Sequence, residues 1–391
     1  MKVAFVCQRY GIEISGGAEL HCRWIAEHMK KYWQVEVLTT RAVDYITWKN
    51  HYPEGEDTVN GLPVKRFSVS RARDPLKFGR IQKFILENEH SEKDELNWLD
   101  EEGPCSAALI DYIQGHQDDY DYFIFFSYRY YHSYWGINAV SQKSILVPTA
   151  ENDPIIHLNI FKELFRKPQA IIYNSQEERK MIQTISHNQE VLGDVVGVGT
   201  EIPSQYSGQE FREEHPIKSD YLIYIGRIDE NKGCHVLFDF FLRFKEETRS
   251  DIKLVLVGST ILKIPSHPDV IFLGYLSDEK KFSALDGSLI LVMPSFYESL
   301  SMVTLEAWAT EKPVLANARC DVLKGQCQRS QAGLYYDNYD EFKESLGLLL
   351  SDPRLRREMG KNGRTYFLGN YTWKIIENKY LTVVEQLEKR K

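Results

Sequence analysis

The sequence predicts an α/β protein built from two doubly wound parallel sheets. Its 391 residues exceed what a single hydrophobic core usually fills, so two domains of under about 200 residues each are expected. Beyond residue 220, short apolar runs alternate with helical patterns, which is typical of a parallel sheet with helices on both faces. The N-terminal stretch also has the pattern of a strand, a glycine-containing loop and a helix, and this order predicts a second α/β unit.

Composition places the chain among folded globular proteins of the cytoplasm. Hydrophobic residues make up 43% of the chain, and a net charge of −8 argues against nucleic acid as the main partner. The first apolar run is too short for a secretion signal, and no apolar window is long enough to span a bilayer. The six cysteines include no C-x2-C pair, so we expect reduced thiols in a cytoplasmic protein.

The N-terminal strand is predicted at residues 3–7, with a helix from residue 18 and a second strand at 35–40. The loop between the first strand and the helix contains Gly16 and Gly17, which allow the backbone to approach a phosphate or a sugar closely. A plain turn would use the same residues. Because the loop is not G-x-G-x-x-G, it disfavours a dinucleotide-dependent dehydrogenase.

Charge is distributed unevenly in the first half of the chain. Residues 65–83 contain seven Lys or Arg residues and one Asp, whereas residues 87–102 contain eight acidic residues and one Lys. The basic segment can contact an anionic membrane surface or a phosphorylated lipid, although such blocks are also ordinary solvated helix faces. Asp119 and Asp121 form a D-x-D before a strand rather than after one, so we expect no metal site there.

Further strands are predicted at 122–126, 145–147 and 170–173. The aromatic segment after the first of these contains Tyr128 and Arg129, which could line a binding groove; core packing explains them equally well. The loop after the second strand carries Glu151. A glycine-containing linker at 195–203 marks the predicted domain boundary.

The C-terminal half carries two patterns that point to one anion site. Strands are predicted at 221–226, 253–258, 270–273, 288–294, 313–317 and 333–336. Arg227 and Lys232 follow the first of them, and both could bind one diphosphate through charge-assisted hydrogen bonds. Glu298 and Glu306 follow the fourth as E-x7-E, where a turn entering a helix suits an anion and a helical carboxylate can accept hydrogen bonds from vicinal hydroxyls.

The chain carries G-R-x4-K-G and, about 65 residues later, E-x7-E. In this order of motifs it resembles the retaining glycosyltransferases of family 4, which have the GT-B fold. The resemblance covers the C-terminal half closely and the N-terminal half loosely. It implies two Rossmann-like domains facing a central cleft. Residues 1–197 would bind the acceptor, residues 198–370 would bind the nucleotide-sugar donor, and the helix in 371–391 would return to the first domain.

The resemblance also implies roles for individual residues. Two departures from the family pattern are the turn S-L-S-M-V, where many relatives have G-F-G-x-V, and Glu151, which stands where many relatives carry a His that touches the transferred sugar. Arg227, Lys232 and Glu298 would be catalytic, and Glu151, Tyr128 and Arg129 are candidates for sugar or acceptor contacts. The donor would be bound by Gly16, Gly17, Gly226, Gly258, Leu276, Ser299, Leu300, Ser301, Met302, Val303 and Glu306.

The activity implied by the resemblance is retaining, metal-independent transfer of a hexose. Family frequency favours glucose from a UDP-sugar, with a glycan or lipid-linked acceptor, in exopolysaccharide or cell-envelope polysaccharide synthesis. We expect no cofactor, and location in the cytoplasm or at the inner face of the membrane. Two alternatives stay open: a nucleotide-sugar-binding GT-B protein that transfers nothing, and a GT-B epimerase or sugar-phosphate synthase.

Overall fold

The computed structural model describes residues 1–14, 16–215 and 217–390, and the chain forms two compact units. The first unit comprises Met1–Val198 together with the chain from Ile376 onward, and the second comprises Gly199–Ile375. The division after Val198 falls one residue beyond the boundary expected from the sequence. The chain re-enters the first unit at Ile376, a few residues later than expected.

A mainly parallel sheet forms the centre of the first unit. The described strands lie in the order β3-β4-β2-β1-β5-β6-β7-β8, and β3 pairs antiparallel with β4. Their bounds are β1 (Lys2–Cys7), β2 (Gln34–Thr40), β3 (Gly55–Val59), β4 (Leu62–Phe67), β5 (Tyr122–Phe126), β6 (Ser144–Val147), β7 (Ala170–Tyr173) and β8 (Leu192–Val195).

The β3–β4 hairpin departs from the wholly parallel sheet expected from the sequence. Val59 pairs with Leu62, so the loop consists of Asn60 and Gly61, and both have positive φ angles of 49° and 73°. Asn-Gly is the preferred pair for a two-residue turn of this kind, because both central residues must adopt left-handed backbone conformations.

Helices flank this sheet. They are α1 (Gly17–Met29), α2 (Pro75–Glu87), α3 (Glu92–Glu102), α4 (Ala107–Gly115), α5 (Tyr131–Ala139), α6 (Asn159–Leu164) and α7 (Gln176–Ser186). The central strands β1 and β5 are almost wholly buried, because they are continuous apolar runs covered on both faces. Among the described residues, no helix is both long enough and apolar enough to cross a bilayer.

The second unit is a doubly wound parallel sheet, as the sequence predicted. Its described strands lie in the order β11-β10-β9-β12-β13-β14 and pair in parallel. Their bounds are β9 (Tyr221–Ile225), β10 (Lys253–Val257), β11 (Val270–Gly274), β12 (Ile290–Met293), β13 (Val314–Asn317) and β14 (Gly333–Tyr336). The helices are α8 (Gly208–Glu214), α9 (Cys234–Thr248), α10 (Asp278–Gly287), α11 (Met302–Ala309), α12 (Asp321–Ser330), α13 (Tyr339–Ser351) and α14 (Pro353–Asn370).

The last helix, α15 (Trp373–Glu388), carries the chain back onto the first unit. Ile376, Tyr380, Val383 and Leu387 recur at helical spacing and are at most 4% exposed, so they form the face that packs against this unit. Beside them, the carboxylate of Glu377 accepts hydrogen bonds from three side chains around the end of α1, those of His28, Lys31 and Tyr32. Packing and charge together therefore anchor α15.

Candidate active site

The predicted site residues of the second unit lie where its strand order reverses. From β9 the chain proceeds to β10 and β11 on one side, and from β12 it proceeds to β13 and β14 on the other. The loops that leave the carboxyl ends of β9 and β12 therefore start side by side and diverge, which is where ligands bind in sheets of this kind. Phe296 N–H donates to the carbonyl of Asn231 at 3.3 Å, so the two loops are in direct contact.

Glycines at the site permit this close approach. Gly233 has φ +69°, and a Cβ added there would overlap with the carbonyl of Pro294 in the opposite loop. Gly258, with φ +133°, follows β10, and a Cβ there would overlap with the carbonyl of Gly226 after β9. Both positions therefore require glycine, for backbone conformation and for space.

Asp229 organises the loop after β9. It is 3% exposed, its Oδ2 accepts a hydrogen bond from the Arg227 guanidinium, and its Oδ1 accepts one from the backbone N–H of Lys232 at 2.7 Å. One buried carboxylate thus fixes the Arg227 guanidinium and the backbone at Lys232. Asp229 lies inside the G-R-x4-K-G pattern but was not among the predicted site residues.

Lys232 and Glu298 bring the two predicted patterns together. The Lys232 Nζ lies 2.8 Å from Oε1 of Glu298 and 3.5 Å from the carbonyl oxygen of Tyr297. The side chains are 27% and 11% exposed, so both can still meet a ligand from solvent. The Arg227 side chain is 42% exposed and follows β9 at the same edge of the sheet.

The turn after Glu298 enters α11 through a capped start. Ser301 is the N-cap, and its hydroxyl accepts a hydrogen bond from the Thr304 N–H at 3.3 Å, as expected for a helix that begins here. Met302 and Val303 form the first turn, whose N–H groups have no partner within the helix. Ser299 and Leu300 lie in the turn itself, where Leu300 is 8% exposed.

Glu306, on the second turn of α11, is buried and paired. Its Oε1 lies 2.7 Å from the Nζ of Lys281 in the first turns of α10, and Lys281 also contacts Asp278 at 2.9 Å. Burial raises the pKa of Glu306, while the Lys281 ammonium opposes that shift. Lys281 was not among the predicted site residues, because no local sequence pattern indicates a contact between residues 25 positions apart on two helices.

Three further donor-site candidates end neighbouring strands at this edge. Gly226 and Gly258 follow β9 and β10, and the Gly258 N–H donates to the carbonyl of Gly274 at the end of β11. Leu276 lies two residues further along and is half-buried. Tyr275 beside it is 79% exposed, an uncommon position for a large aromatic side chain that the sequence pattern did not indicate.

In the first unit, Gly16 and Gly17 lie at the start of α1, which follows β1 along the chain. Gly16 caps α1 and Gly17 is its first residue. A Cβ at Gly16 would overlap with the carboxylate of Glu19, which is buried and paired with Arg9 through a hydrogen bond from Arg9 Nε of 2.8 Å. Packing against this ion pair is therefore one reason for glycine at position 16. Contact of the two glycines with a donor stays a prediction.

Tyr128 does not line an acceptor groove. It is 2% exposed, and its ring packs against Phe161 and Phe165 with centroid separations of 4.8 and 5.3 Å. It is therefore a core residue, and the alternative of core packing given for it is the correct one. The direction of the side chain after β5 determines whether Tyr128 is buried or exposed, and the sequence pattern does not predict that direction.

Arg129 and Glu151 lie at the same edge of the first sheet. The Arg129 guanidinium, 27% exposed, pairs with Glu102 at 2.9 Å and Asp153 at 3.2 Å. Glu151 is half-buried and follows Ala150, whose N–H donates to the buried carboxyl of Glu178. Burial raises the pKa of Glu178 to about 8. Hydrogen bonds from the backbone at Asn174 and Ala150 oppose this shift, and the nearby Glu151 adds to it.

The edge of the second sheet combines fixed cations, a helix start and two carboxylates. Such an arrangement can hold a diphosphate between Arg227, Lys232 and the first turn of α11, and its carboxylates can accept hydrogen bonds from hydroxyl groups. In the described part of the chain, no three His, Cys, Asp or Glu side chains converge as ligands for a metal ion.

Sequence comparison finds a family match within the second unit. Residues 207–366 match the family described as "Glycosyl transferases group 1". An uncharacterized glycosyltransferase of Methanocaldococcus jannaschii is 22% identical, and the alignment covers 98% of this chain and 97% of that protein. A D-inositol 3-phosphate glycosyltransferase of Corynebacterium efficiens is 24% identical over 54% of this chain and 55% of its own length.

Solved structures match over the whole chain. Sucrose-phosphate synthase from Thermosynechococcus elongatus superposes with a TM-score of 0.72 at 16% identity, with both chains fully covered. HepE of Anabaena, in complex with UDP-glucose, superposes with a TM-score of 0.69 at 16% identity, again over both full chains. At these identities the likeness is one of fold.

Residues 207–366, which contain every site residue discussed in the second unit, therefore match the group 1 glycosyl transferases. The chain as a whole has the GT-B fold, and together the matches support a glycosyltransferase.

Proposed function

We propose that this protein is a retaining, metal-independent glycosyltransferase of family 4 that moves a hexose from a UDP-sugar to a glycan or lipid-linked acceptor. Glucose is the hexose we propose, in the synthesis of an exopolysaccharide or a cell-envelope polysaccharide. The observation that carries the proposal is the contact of Lys232 with Glu298, which places a cation and a carboxylate from the two sequence patterns 2.8 Å apart. The matched family covers both patterns, and HepE of similar fold was solved with UDP-glucose.

The reaction breaks the bond from the sugar C1 to the β-phosphate oxygen and forms a bond from C1 to the acceptor oxygen. Negative charge then develops on the leaving diphosphate. Arg227, Lys232 and the start of α11 are preorganised to stabilise that charge, which is the contribution a metal ion makes elsewhere. In this proposal the acceptor proton moves to the leaving phosphate on the same face of the sugar, which accounts for retention.

The two glutamates take separate roles in the proposal. Glu298, beside Lys232, accepts a hydrogen bond from a hydroxyl of the donor sugar, and its charge favours the positive character that the sugar ring gains as the bond breaks. Glu306 accepts hydrogen bonds from the ribose hydroxyls. Glu151 and Arg129, in the first unit, are the acceptor-side candidates.

Acceptor-dependent release of UDP tests the proposed activity. A thermal-shift screen of nucleotide sugars selects the donor, and UDP release is then measured with and without sugar acceptors. The proposal expects UDP release only with an acceptor, and an α-linked product from an α-linked donor by NMR. Binding without any release would favour the nucleotide-sugar-binding protein, and transfer only to a hexose phosphate would favour a sugar-phosphate synthase.

For a lipid-linked acceptor we propose that α2 contacts the membrane surface. Leu76 is 80% exposed and Phe84 and Leu86 are each 44% exposed, while Arg80 and Lys83 lie on the same outer side of this helix. Exposed apolar side chains among cations suit the interface of an anionic bilayer. The overall charge of −8 opposes such binding, so the contact must be local.

Vesicle flotation tests the membrane contact. The chain should float with phosphatidylglycerol vesicles and stay at the bottom with phosphatidylcholine vesicles. A Leu76→Asp, Phe84→Asp variant should lose flotation, whereas Leu348→Asp, which changes another exposed leucine in the second unit, should keep it. Equal flotation of both variants would contradict the proposal.

A further inference from the structure

Glu306 is a buried carboxylate with one oxygen occupied and the other unsatisfied. It is 4% exposed, and its Oε1 takes the hydrogen bond from Lys281 Nζ at 2.7 Å. Within the described residues, Oε2 is buried and accepts no hydrogen bond. Buried acceptors without a donor are uncommon in native proteins, so this oxygen is a candidate acceptor for a hydrogen bond from a bound ligand.

Lys281 determines what Glu306 can accept. Burial raises the pKa of Glu306, and a protonated carboxyl group would carry a hydrogen that competes with an incoming hydroxyl. Burial alone would also lower the pKa of Lys281, but the carboxylates of Glu306 and Asp278 raise it above its ordinary value. Among the described residues, the charged groups that act on Glu306 are Lys281 and Asp278, both on α10.

We infer that Lys281 is a positioning residue for ribose recognition: its ammonium fixes Oε1 of Glu306 and keeps the carboxylate charged, so that the carboxylate accepts the vicinal hydroxyls of a ribonucleotide. Each carboxylate oxygen has two lone pairs, so Oε1 can hold Lys281 and one hydroxyl while Oε2 accepts the other. This inference rests on the proposed nucleotide-sugar site.

Different residues would then recognise the ribose and the diphosphate. Lys281 contacts Glu306 and Asp278, whereas Lys232 contacts Glu298 in the turn before α11. Loss of Lys281 should therefore weaken discrimination between a ribonucleotide and its deoxy analogue more than it weakens binding of the diphosphate.

The test compares binding of UDP and 2′-deoxy-UDP by calorimetry between pH 6 and 8.5. The wild-type chain should bind UDP at least tenfold more tightly than 2′-deoxy-UDP across this range. Lys281→Met should reduce the preference to about twofold at pH 6 and regain part of it as the pH rises, because Glu306 then ionises without help. Lys281→Arg should retain most of the preference. Affinity for 2′-deoxy-UDP should change less than threefold in either variant.

Two further variants keep the inference open to contradiction if Lys281→Met folds poorly. Glu306→Gln should lower the preference to the same extent at every pH, and adding Lys281→Gln to it should lower it no further. A Lys281→Met variant that discriminates like the wild-type chain at all pH values, or that loses both nucleotides equally, would overturn this inference alone. A wild-type chain that binds neither nucleotide would overturn the proposed function and this inference with it.

Discussion

At the scale of single residues, buried carboxylates set the positions of the cations. Asp229 is 3% exposed and holds the Arg227 guanidinium and the Lys232 backbone, while Glu306 holds Lys281. Hydrogen bonds to charged groups contribute about 1.5–3 kcal/mol each, so a single buried carboxylate can fix one side chain and the backbone of a second residue. Asp229 therefore holds cations that would meet a diphosphate, whereas Lys281 is paired with the carboxylate that would itself meet the ribose.

Replacing Asp229 should impair activity more than it impairs folding. Asp229→Asn removes the charge that holds Arg227, and we expect kcat/KM for the nucleotide sugar to fall about ten- to a hundredfold, equivalent to about 1.4–2.8 kcal/mol. Steady-state rates and a thermal melt measure the two effects. Asp220→Asn is the matched control, because Asp220 precedes the same strand and is 58% exposed. Equal rates for the two variants would contradict the role given to Asp229.

Glu178 should make stability depend on pH in an unusual direction. Its pKa is raised to about 8 in the folded chain, above the value of about 4.3 expected when unfolded, so between these values the folded state binds the extra proton. The contribution of Glu178 to stability is therefore largest below about pH 4.3 and is lost as the pH rises towards 8.

Urea unfolding across pH 5 to 9 checks this contribution. Glu178→Gln should be less stable at pH 5, because an amide N–H2 would face the N–H of Asn174 or Ala150, and the difference from the wild-type chain should shrink as the pH approaches 8. A difference that is constant across the range would show that Glu178 has an ordinary pKa.

At the scale of elements, the start of α11 links sequence to site. The strand-turn-helix order around Glu298 was predicted correctly, and the Ser301 cap follows from the preference of serine for this position. The β3–β4 hairpin was missed, because the residues of β3 are mostly polar and only the Asn60-Gly61 pair signals the turn. The start of a helix can thus be predicted from its capping residue, whereas strand pairing in a hairpin can be predicted only if its turn residues are identified.

Removing the cap should destabilise the chain and loosen the helix start. Ser301→Ala leaves the Thr304 N–H without its acceptor and should lower the free energy of unfolding by about 0.5–2 kcal/mol. Ser301→Thr retains a hydroxyl and should stay closer to the wild-type value. Urea unfolding with fluorescence detection measures both variants, and an alanine variant as stable as the threonine variant would contradict the capping role.

At the scale of the whole molecule, the sequence predicted two α/β units, a parallel sheet in the second, and the strand ends that carry the site. It could not predict which distant side chains meet. The Lys281–Glu306 contact joins two helices, and the burial of Tyr128 depends on packing against α6 and the residue after it. The return of α15 to the first unit was expected only from the family resemblance, and its apolar face gives the physical reason.

The attachment of α15 can be tested through Glu377. This carboxylate is 4% exposed and accepts hydrogen bonds from His28, Lys31 and Tyr32, so Glu377→Ala leaves several donors without a partner. We expect the free energy of unfolding to fall by about 1–3 kcal/mol in urea titrations. Glu385→Ala, on an exposed position of the same helix, should change it by less than about 0.5 kcal/mol. Matching losses in the two variants would argue against a specific anchor.

The central claim is that the carboxyl edge of the second sheet binds a nucleoside diphosphate through its cations. Calorimetry with UDP and with uridine tests this most directly, using Lys232→Met and the surface control Lys343→Met. The account predicts that the wild-type chain and the control bind UDP at least tenfold more tightly than uridine, and that Lys232→Met loses this preference without losing its fold. Undiminished preference for UDP in Lys232→Met would contradict it.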